Sequence, residues 1–345
     1  MTAREKWLAL QKPQRAAISA IGSGILRICA FNNALKCNDG AVAFCYNCAV
    51  MRFSVGYQLD RAWVDAIAAR ADRLDEVYFA FGAMPSGRGA VADVDGQLED
   101  LGRLADAGLG LNLLFNANCY GARALAKGFF AEVGETVERF AADGALTSVT
   151  TTSPLVAKFV KDNFPGLRTR ASVNMEIGTV EGMDYLADVF DGYYLKRELN
   201  RDRAAVRAAK AWCDAHGKGL YLLANSGCLN FCSSHVFHDN LVAHEAEIAP
   251  SENGYAWRGT CWQWLAKPEN RAQWHARTNW IAPEDVASYE GLCTGMKLAT
   301  RASAHPVRIL ESYVTGSHVG DIRGLLEPDH SALFREMDSE RKRGN

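Results

Sequence analysis

The sequence predicts an α/β chain folded as a (β/α)8 barrel of the TIM type, and three observations support this fold class. Short β-rich segments alternate with amphipathic helical segments from about residue 51 onward. Several of the β-rich segments follow turns that contain Gly or Asp. Eight predicted strands spread over roughly 250 residues, which is the usual length of such a barrel. A doubly wound sheet is the alternative.

The predicted elements follow one another in the order that a barrel requires. Each predicted strand is a short run rich in aliphatic and aromatic residues; the strands span 51–56, 76–81, 109–116, 146–150, 167–174, 192–196, 219–224 and 295–300. The segments between them carry apolar residues at helical spacing, as at 62–71, 98–107, 133–142 and 203–216. Parallel strands end at the same face of a barrel, so we expect the functional residues at those ends.

The barrel is predicted to occupy residues 51–325, with an extension before it and a tail after it at 326–345. Residues 225–290, between the seventh and eighth strands, form an insertion too long for an ordinary loop. The extension, residues 1–50, contains four cysteines: Cys29, Cys37, Cys45 and Cys48. These thiols could hold a second metal, or they could simply be buried.

Composition narrows the class of protein. Hydrophobic residues make up 48% of the 345 residues and charged residues 23%, as in globular proteins with a sizeable core. The net charge of −2 provides no global positive field, which disfavours a nucleic acid partner. No apolar run is long enough to span a bilayer, and the N-terminus lacks the apolar core of a signal peptide. We therefore expect a soluble, cytoplasmic protein with no membrane partner.

Ten cysteines in a reducing compartment are more readily explained as ligands, reactive groups or buried thiols than as disulfides. The most informative segment is Cys228-Leu-Asn-Phe-Cys232-Ser-Ser-His235-Val-Phe-His238, with Cys261 further along the insertion. Thiols gathered in this way favour a soft metal or an iron–sulfur cluster. Cys119 follows the third strand and is the preferred fourth ligand. The alternative ligands are Cys213, Cys293, His235 and the thiols of the extension, and the alternative metal is zinc.

Polar residues at the predicted strand ends would surround such a cluster. Lys196 and Arg301 could hold an anionic substrate, with Asn116 and Asn174 beside them. Further predicted catalytic residues are two carboxylates that could act as general base, and two imidazoles that could donate protons; these are Glu176, Glu198, His235 and His238. The alternative for each residue is a salt bridge, a solvated loop position or a structural histidine.

Five segments resemble the collagenase-like peptidase superfamily (peptidase family U thirty-two). They span about residues 50–320 in the expected order: Phe53-Ser-Val-Gly-Tyr, Leu195-Lys-Arg-Glu-Leu-Asn, Leu223-Ala-Asn-Ser-Gly-Cys-Leu-Asn-Phe-Cys, Asn279-Trp-Ile-Ala-Pro-Glu-Asp and Met296-Lys-Leu-Ala-Thr-Arg. The resemblance implies a (β/α)8 barrel with a four-cysteine [4Fe-4S] cluster. Some members of this superfamily are named as proteases, whereas others hydroxylate ubiquinone precursors without oxygen or hydroxylate transfer and ribosomal RNA.

The chain departs from the peptidase signature, because it has no equivalent of Glu-x-Phe-x-His-Gly-Ala-Leu-Cys. It also has neither the Gly-x-Ser-x-Gly nor the His-Glu-x-x-His sequence of common hydrolases. The expected function is oxygen-independent hydroxylation, or another redox change, of a small organic substrate by an iron–sulfur enzyme. The alternatives are a collagenase-like peptidase with a structural metal, acting on a peptide, and a non-catalytic partner subunit of a hydroxylation complex. An electron donor or a partner protein is expected.

Overall fold

The computed structural model describes residues 50–87, 93–142, 144–331 and 333–335. The extension that contains Cys29, Cys37, Cys45 and Cys48 lies outside these residues, so the prediction of a second metal site there stays a prediction. In the part of the chain that is described, no helix combines the length and the apolar character that crossing a membrane requires.

Eight parallel strands form a closed barrel, in which each strand pairs with the next along the chain. The strands are β1 Phe53–Gly56, β2 Leu74–Phe79, β3 Gly110–Phe115, β4 Leu146–Thr151, β5 Arg168–Ala171, β6 Gly192–Tyr194, β7 Gly219–Leu223 and β8 Gly295–Leu298. Phe53 pairs with Met296, which closes β1 onto β8. This confirms the predicted TIM-type barrel and rules out an open doubly wound sheet.

Twelve helices of the described residues follow or separate the strands. They are α1 Arg61–Ala69, α2 Val94–Asp106, α3 Lys127–Ala141, α4 Pro154–Asn163, α5 Val180–Asp184, α6 Arg203–Ala215, α7 His235–Ala243, α8 Glu245–Ile248, α9 Thr260–Leu265, α10 Pro268–Arg271, α11 Trp274–Arg277 and α12 Pro306–Thr315. Four of the longer helices, α1, α2, α4 and α6, begin at side-chain caps, as where Asp60 accepts hydrogen bonds from the amides of Ala62 and Trp63. Each buries one apolar face; α1, for example, buries Trp63, Val64 and Ile67.

The barrel interior contains a buried ion pair. Arg170 on β5 is hydrogen-bonded to Glu76 on β2, and their side chains are 9% and 2% exposed. The Glu76 carboxylate also accepts hydrogen bonds from Asn112 at 2.7 Å and from Ser148 at 3.1 Å. A buried charge is costly unless it is paired and hydrogen-bonded, and here the three strands β3, β4 and β5 supply these partners. The Glu76 carboxylate thus links neighbouring strands inside the barrel through hydrogen bonds.

The insertion between β7 and β8 contains helices α7 to α11 and is tied to both strands. Asn225 donates hydrogen bonds to the carbonyls of Ala299 and Leu325, at 3.1 and 2.9 Å. A small second core forms within it from buried apolar residues, namely Leu265, Trp274, Trp280, Leu326 and Leu333. Two of these five residues lie beyond the predicted barrel boundary at 325. The beginning of the predicted tail therefore packs against the insertion.

Candidate active site and metal centre

Arg197 lies at the centre of the site. It follows β6 in a short 3-10 turn, Arg197–Leu199, and its side chain is buried. The guanidinium lies 3.5 Å from Sγ of Cys228, donates to Oδ1 of Asn174 at 2.6 Å and lies 3.3 Å from Oδ2 of Asp239. It also contacts Nε2 of His235. One cation therefore joins the ends of three strands to helix α7.

Three of the predicted metal ligands come close enough to influence one another. Burial raises the pKa of the Cys261 thiol, and the neighbouring Cys228 and Cys232 raise it further. Burial also raises the pKa of Cys228, against the opposing effect of Arg197. The three sulfurs thus form a thiol group in the insertion. The three sulfurs do not all lie within 4.8 Å of one another. Among the described residues, the ligand atoms of Glu176, Glu198 and His235 do.

Cys119 lies elsewhere, beside His244. This histidine lowers the pKa of the Cys119 thiol, and the backbone N–H of Gly121, 3.4 Å from the sulfur, lowers it further. The pair lines a separate cavity of about 360 Å³, together with Met84 and Glu247. The structure therefore does not bring Cys119 together with the three thiols of the insertion.

The remaining candidate cysteines of the described chain are buried away from the thiol group. Cys213 lies in α6, and its sulfur faces the carbonyl of Gly219. Cys293 lines a cavity at the opposite end of the barrel. Burial raises the pKa of each thiol to about 12, as expected for structural cysteines.

Glu176, Glu198 and His235 form a compact group of possible ligands. Their ligand atoms all lie within 4.8 Å of one another. Nδ1 of His235 is 3.4 Å from Oε1 of Glu176 and 3.8 Å from Oε1 of Glu198. On the other side of the ring, Nε2 lies 3.2 Å from Oδ2 of Asp239. Three of the four residues predicted to be catalytic therefore lie together.

The fourth, His238, lies apart from that group and lines a cavity at the C-terminal mouth of the barrel. This cavity, of about 220 Å³, is called the mouth cavity below. Its polar lining includes Tyr78, Asn116, Asn174, Arg197, Cys228, Asp239, Lys297 and Arg301. Basic side chains outnumber acidic ones in the lining by three to two, since Arg197, Lys297 and Arg301 face Asp239 and Glu327, so the mouth cavity suits a small anion. Arg301, Asn116 and Asn174, which the sequence predicted to bind substrate, all line this cavity, and that role stays a prediction.

Lys196 has a different neighbour from the one expected. Its Nζ lies 3.2 Å from Oε2 of Glu176, and it is not among the residues that line the mouth cavity. Two residues predicted to bind substrate and to act as base are therefore paired with each other. The ion pair was the alternative given for each residue.

Lys297 is a site residue that the sequence interpretation missed. Its side chain points into the barrel from β8, and Nζ lies 3.9 Å from the centre of the Tyr78 ring. Burial, and secondarily the charge of Arg301, lower the pKa of the amine to about 7. A charged residue within the predicted strand 295–300 was the available signal, since strands buried on both faces are otherwise apolar.

Backbone strain also marks the site. Among the described residues, only Glu176 and Phe231 are non-glycine residues with positive φ, at 56° and 54°. Glu176 ends the 3-10 turn after β5, and Phe231 lies between Cys228 and Cys232. Such conformations cost of order 1–3 kcal/mol and cluster at functional sites. Glu176 is itself a candidate ligand, and Phe231 directly precedes Cys232.

A larger cavity, of about 790 Å³, opens at the N-terminal end of the barrel beside Arg52, Lys161 and Asp191. It is open and lined mainly by turns and helix ends. In barrels of this fold the N-terminal face serves stability, whereas chemistry takes place at the C-terminal face. Volume alone therefore does not identify the site, and the smaller mouth cavity is the better candidate.

Comparison with known proteins supports the fold. No protein-family model matches the sequence, and no curated protein sequence does. Among solved structures, the protein described as the U32 peptidase Mk0906 is similar, with a TM-score of 0.53 and 15% sequence identity. The similarity covers 72% of this chain and 91% of that chain. At this identity it shows a shared barrel fold, as the resemblance to collagenase-like peptidases implied.

Other barrel enzymes are more distant. A chitinase from Rhizomucor miehei has a TM-score of 0.40 and 13% identity, over 77% of this chain and 98% of that chain. An enolase from Bradyrhizobium, complexed with magnesium and mandelic acid, has a TM-score of 0.37 and 15% identity, over 54% and 48%. These two similarities add nothing to the fold assignment.

Proposed function

We propose that this chain is an iron–sulfur enzyme that modifies a small anionic organic molecule in the mouth cavity by an oxygen-independent redox reaction, such as hydroxylation. The observation that carries the proposal is that Cys228 lines the same cavity as Lys297 and Arg301. A candidate cluster ligand and candidate substrate-binding cations thus line one cavity.

The donor set fits a cluster with three protein ligands. Cys228, Cys232 and Cys261 are soft donors close enough to interact, and burial raises the pKa of Cys228 and Cys261. A bound cluster would relieve that cost, because coordination removes the thiol protons and balances the thiolate charge. Cys119 lies beside His244, so the structure supports three thiolates and a fourth, non-cysteine position. Such a cluster would supply electron transfer or Lewis acidity at that position.

The residues of the chain would bind and orient the substrate. Arg301 and Lys297 would attract its anionic group, and Asn116 and Asn174 would accept or donate hydrogen bonds at the edge of the cavity. Asn174 is itself held by Arg197 at 2.6 Å, which fixes its orientation. Hydroxylation without O2 would take its oxygen atom from water and release two electrons and two protons, so it also needs an electron acceptor, which a small protein or redox cofactor would provide.

Zinc is the second candidate for the same thiols, with a structural role in a hydrolase. Three cysteines without Cys119 suit a zinc ion with a fourth ligand as well as they suit a cluster. In that case peptidase activity would survive exposure to air. A non-catalytic partner subunit would instead co-purify with another chain and show no turnover alone.

The visible and EPR spectra of anaerobically purified protein test the proposal. We expect a broad charge-transfer band that is lost in Cys228→Ser. Cys213→Ser is the matched control, because Cys213 is a buried cysteine on a helix away from the site. A wild-type spectrum without such a band, or a band that survives in Cys228→Ser, would contradict the proposal.

A further inference from the structure

We infer that Glu176, Glu198 and His235 form a binding site for one divalent first-row metal cation of the Mn²⁺ type, separate from the cysteine sulfurs. The inference goes beyond the proposed function, because it uses no cysteine and is true or false whatever the thiols bind. It assigns metal ligation to two carboxylates for which the sequence predicted a role as general base.

The spacing of the three ligand atoms matches a metal site. Carboxylate and imidazole ligands lie about 2.0–2.2 Å from zinc-like cations, which puts neighbouring ligand atoms about 3–4 Å apart. Nδ1 of His235 lies 3.4 Å from Glu176 and 3.8 Å from Glu198. Small side-chain movements would bring all three atoms to one cation.

The buried Glu198 carboxylate also lacks the partners that it needs. The Glu198 side chain is only 2% exposed, and within the described part of the chain its Oε2 has no hydrogen-bond partner. Oε1 of Glu176 has none there either, whereas the other oxygen of that carboxylate is paired with Lys196. A buried carboxylate without hydrogen bonds or a counter-charge is strongly disfavoured. A cation between the two would satisfy both.

Asp239 completes the arrangement from behind the imidazole. A histidine that binds a metal through one nitrogen usually donates its other N–H to a carboxylate, which fixes the tautomer. Here Nδ1 faces the two glutamates and Nε2 lies 3.2 Å from Oδ2 of Asp239. Arg197 approaches the same oxygen at 3.3 Å and also contacts Nε2 itself, so its guanidinium would have to move off the ring nitrogen for Nε2 to donate to Asp239.

The donor types indicate which cation would bind. Two carboxylates and one imidazole are harder donors than thiolates, and suit Mn²⁺ or Fe²⁺ better than they suit an iron–sulfur cluster. Conversely, the thiol group of Cys228, Cys232 and Cys261 has little preference for Mn²⁺. The two sites can therefore be separated by the metal that is used as a probe.

The test is a titration of the full chain, purified anaerobically, with Mn²⁺, in which EPR reports the free ion. We expect one site per chain. Glu198→Gln keeps the shape of the side chain but removes its charge, and should weaken binding by at least about 100-fold. Asp239→Asn should weaken it by about 10–100-fold, the usual effect of losing a partner of a ligating histidine.

Two matched variants serve as controls. Glu284→Gln alters a glutamate that also faces a histidine, with Oε1 2.7 Å from Nδ1 of His318, but has no place in the three-residue group. Cys261→Ser alters the thiol group. Both should bind Mn²⁺ with the wild-type affinity, and circular dichroism should show that every variant is folded.

Three results would overturn the inference. The first is the absence of a strong Mn²⁺ site in the wild-type protein, a result that does not depend on any variant. The second is a folded Glu198→Gln or Asp239→Asn variant that binds Mn²⁺ with the wild-type affinity. The third is a site lost in Cys261→Ser, which would move the cation to the thiols. The iron and sulfide content of the wild type is measured separately, so the proposed function can fail while this site stands.

Discussion

Arg197 and Cys228 meet at the C-terminal mouth of the barrel, with Nη1 of the arginine 3.5 Å from the cysteine sulfur. Arg197 follows β6 and Cys228 follows β7, so the contact joins two neighbouring strand ends. The cation favours the thiolate, whereas burial favours the thiol and dominates, which leaves the pKa of Cys228 raised. The contact therefore lowers the free-energy cost of ionising a buried sulfur.

Replacing Arg197 tests that contact. Arg197→Gln removes the cation that opposes burial, so the pKa of Cys228 should rise further. In chelator-treated protein, the pH at which iodoacetamide alkylates Cys228 should therefore shift upward, as followed by peptide mass spectrometry. Asp239 would keep His235 as a partner but lose the guanidinium, so the free energy of unfolding should also fall by about 1–3 kcal/mol. Arg61→Gln, at an exposed position, should change neither quantity; an unshifted alkylation profile in Arg197→Gln would contradict the account.

Lys297 should lower stability at neutral pH. Its pKa of about 7 in the folded chain lies below the ordinary lysine value of 10.5. In the unfolded chain the Lys297 amine is therefore protonated below about pH 10. In the folded chain the same amine becomes protonated only near pH 7. The cost grows as the pH falls from 10 to 7 and is at most about 5 kcal/mol, at 1.4 kcal/mol for each pKa unit.

Lys297→Met should consequently stabilise the protein more at pH 7 than at pH 10, as measured by urea denaturation at both values. The gain will be reduced by the lost contact with the Tyr78 ring. Lys158→Met, at an exposed lysine, should show no such difference. A gain in Lys297→Met that is equal at the two pH values would mean that the amine has an ordinary pKa.

The ion pair inside the barrel should contribute to stability far more than a surface pair. Glu76→Gln leaves Arg170 buried without a counter-charge, and we expect a loss of about 3–5 kcal/mol in the free energy of unfolding. Glu132→Gln breaks the exposed pair with Arg123 and should cost less than about 1 kcal/mol. Equal losses in the two variants would show that the interior of the barrel is solvated.

Cys119 should be reactive and dispensable for the cluster. His244 lowers the pKa of the Cys119 thiol, so His244→Ala should raise it and slow alkylation at neutral pH. Cys119→Ser should leave the iron content unchanged, because the structure pairs this cysteine with His244. Loss of iron in Cys119→Ser would restore it as the fourth ligand that the sequence predicted.

The fold was predictable because each strand lies between turn residues and is followed by an amphipathic helix. Strand ends were less predictable. The segment 167–174 was predicted as one strand, but β5 ends at Ala171, because the Ser172 side chain accepts a hydrogen bond from the amide of Asn174 and starts a 3-10 turn. Local side-chain bonds of this kind are hard to distinguish from a strand in a single sequence.

Groups of candidate residues close together in sequence were predictable, whereas contacts between residues that follow different strands of the barrel were not. The three cysteines of the thiol group were singled out by their spacing within one insertion, and their role as metal ligands stays a prediction. Cys119 was placed correctly at the C-terminal ends of the strands, but it follows β3, four strands from β7 in a ring of eight. The two ends therefore face each other across the mouth. Lys297 and Arg197 were missed because their importance comes from burial, which a sequence does not show directly.

The iron, sulfide and zinc content of anaerobically purified protein tests the central claim most directly. The account predicts about four iron and four sulfide per chain at the thiols of the insertion, lost together in Cys228→Ser. A value near eight would add a second cluster outside the described residues. Zinc without sulfide would contradict the redox proposal and favour a hydrolase or a scaffold on the same barrel.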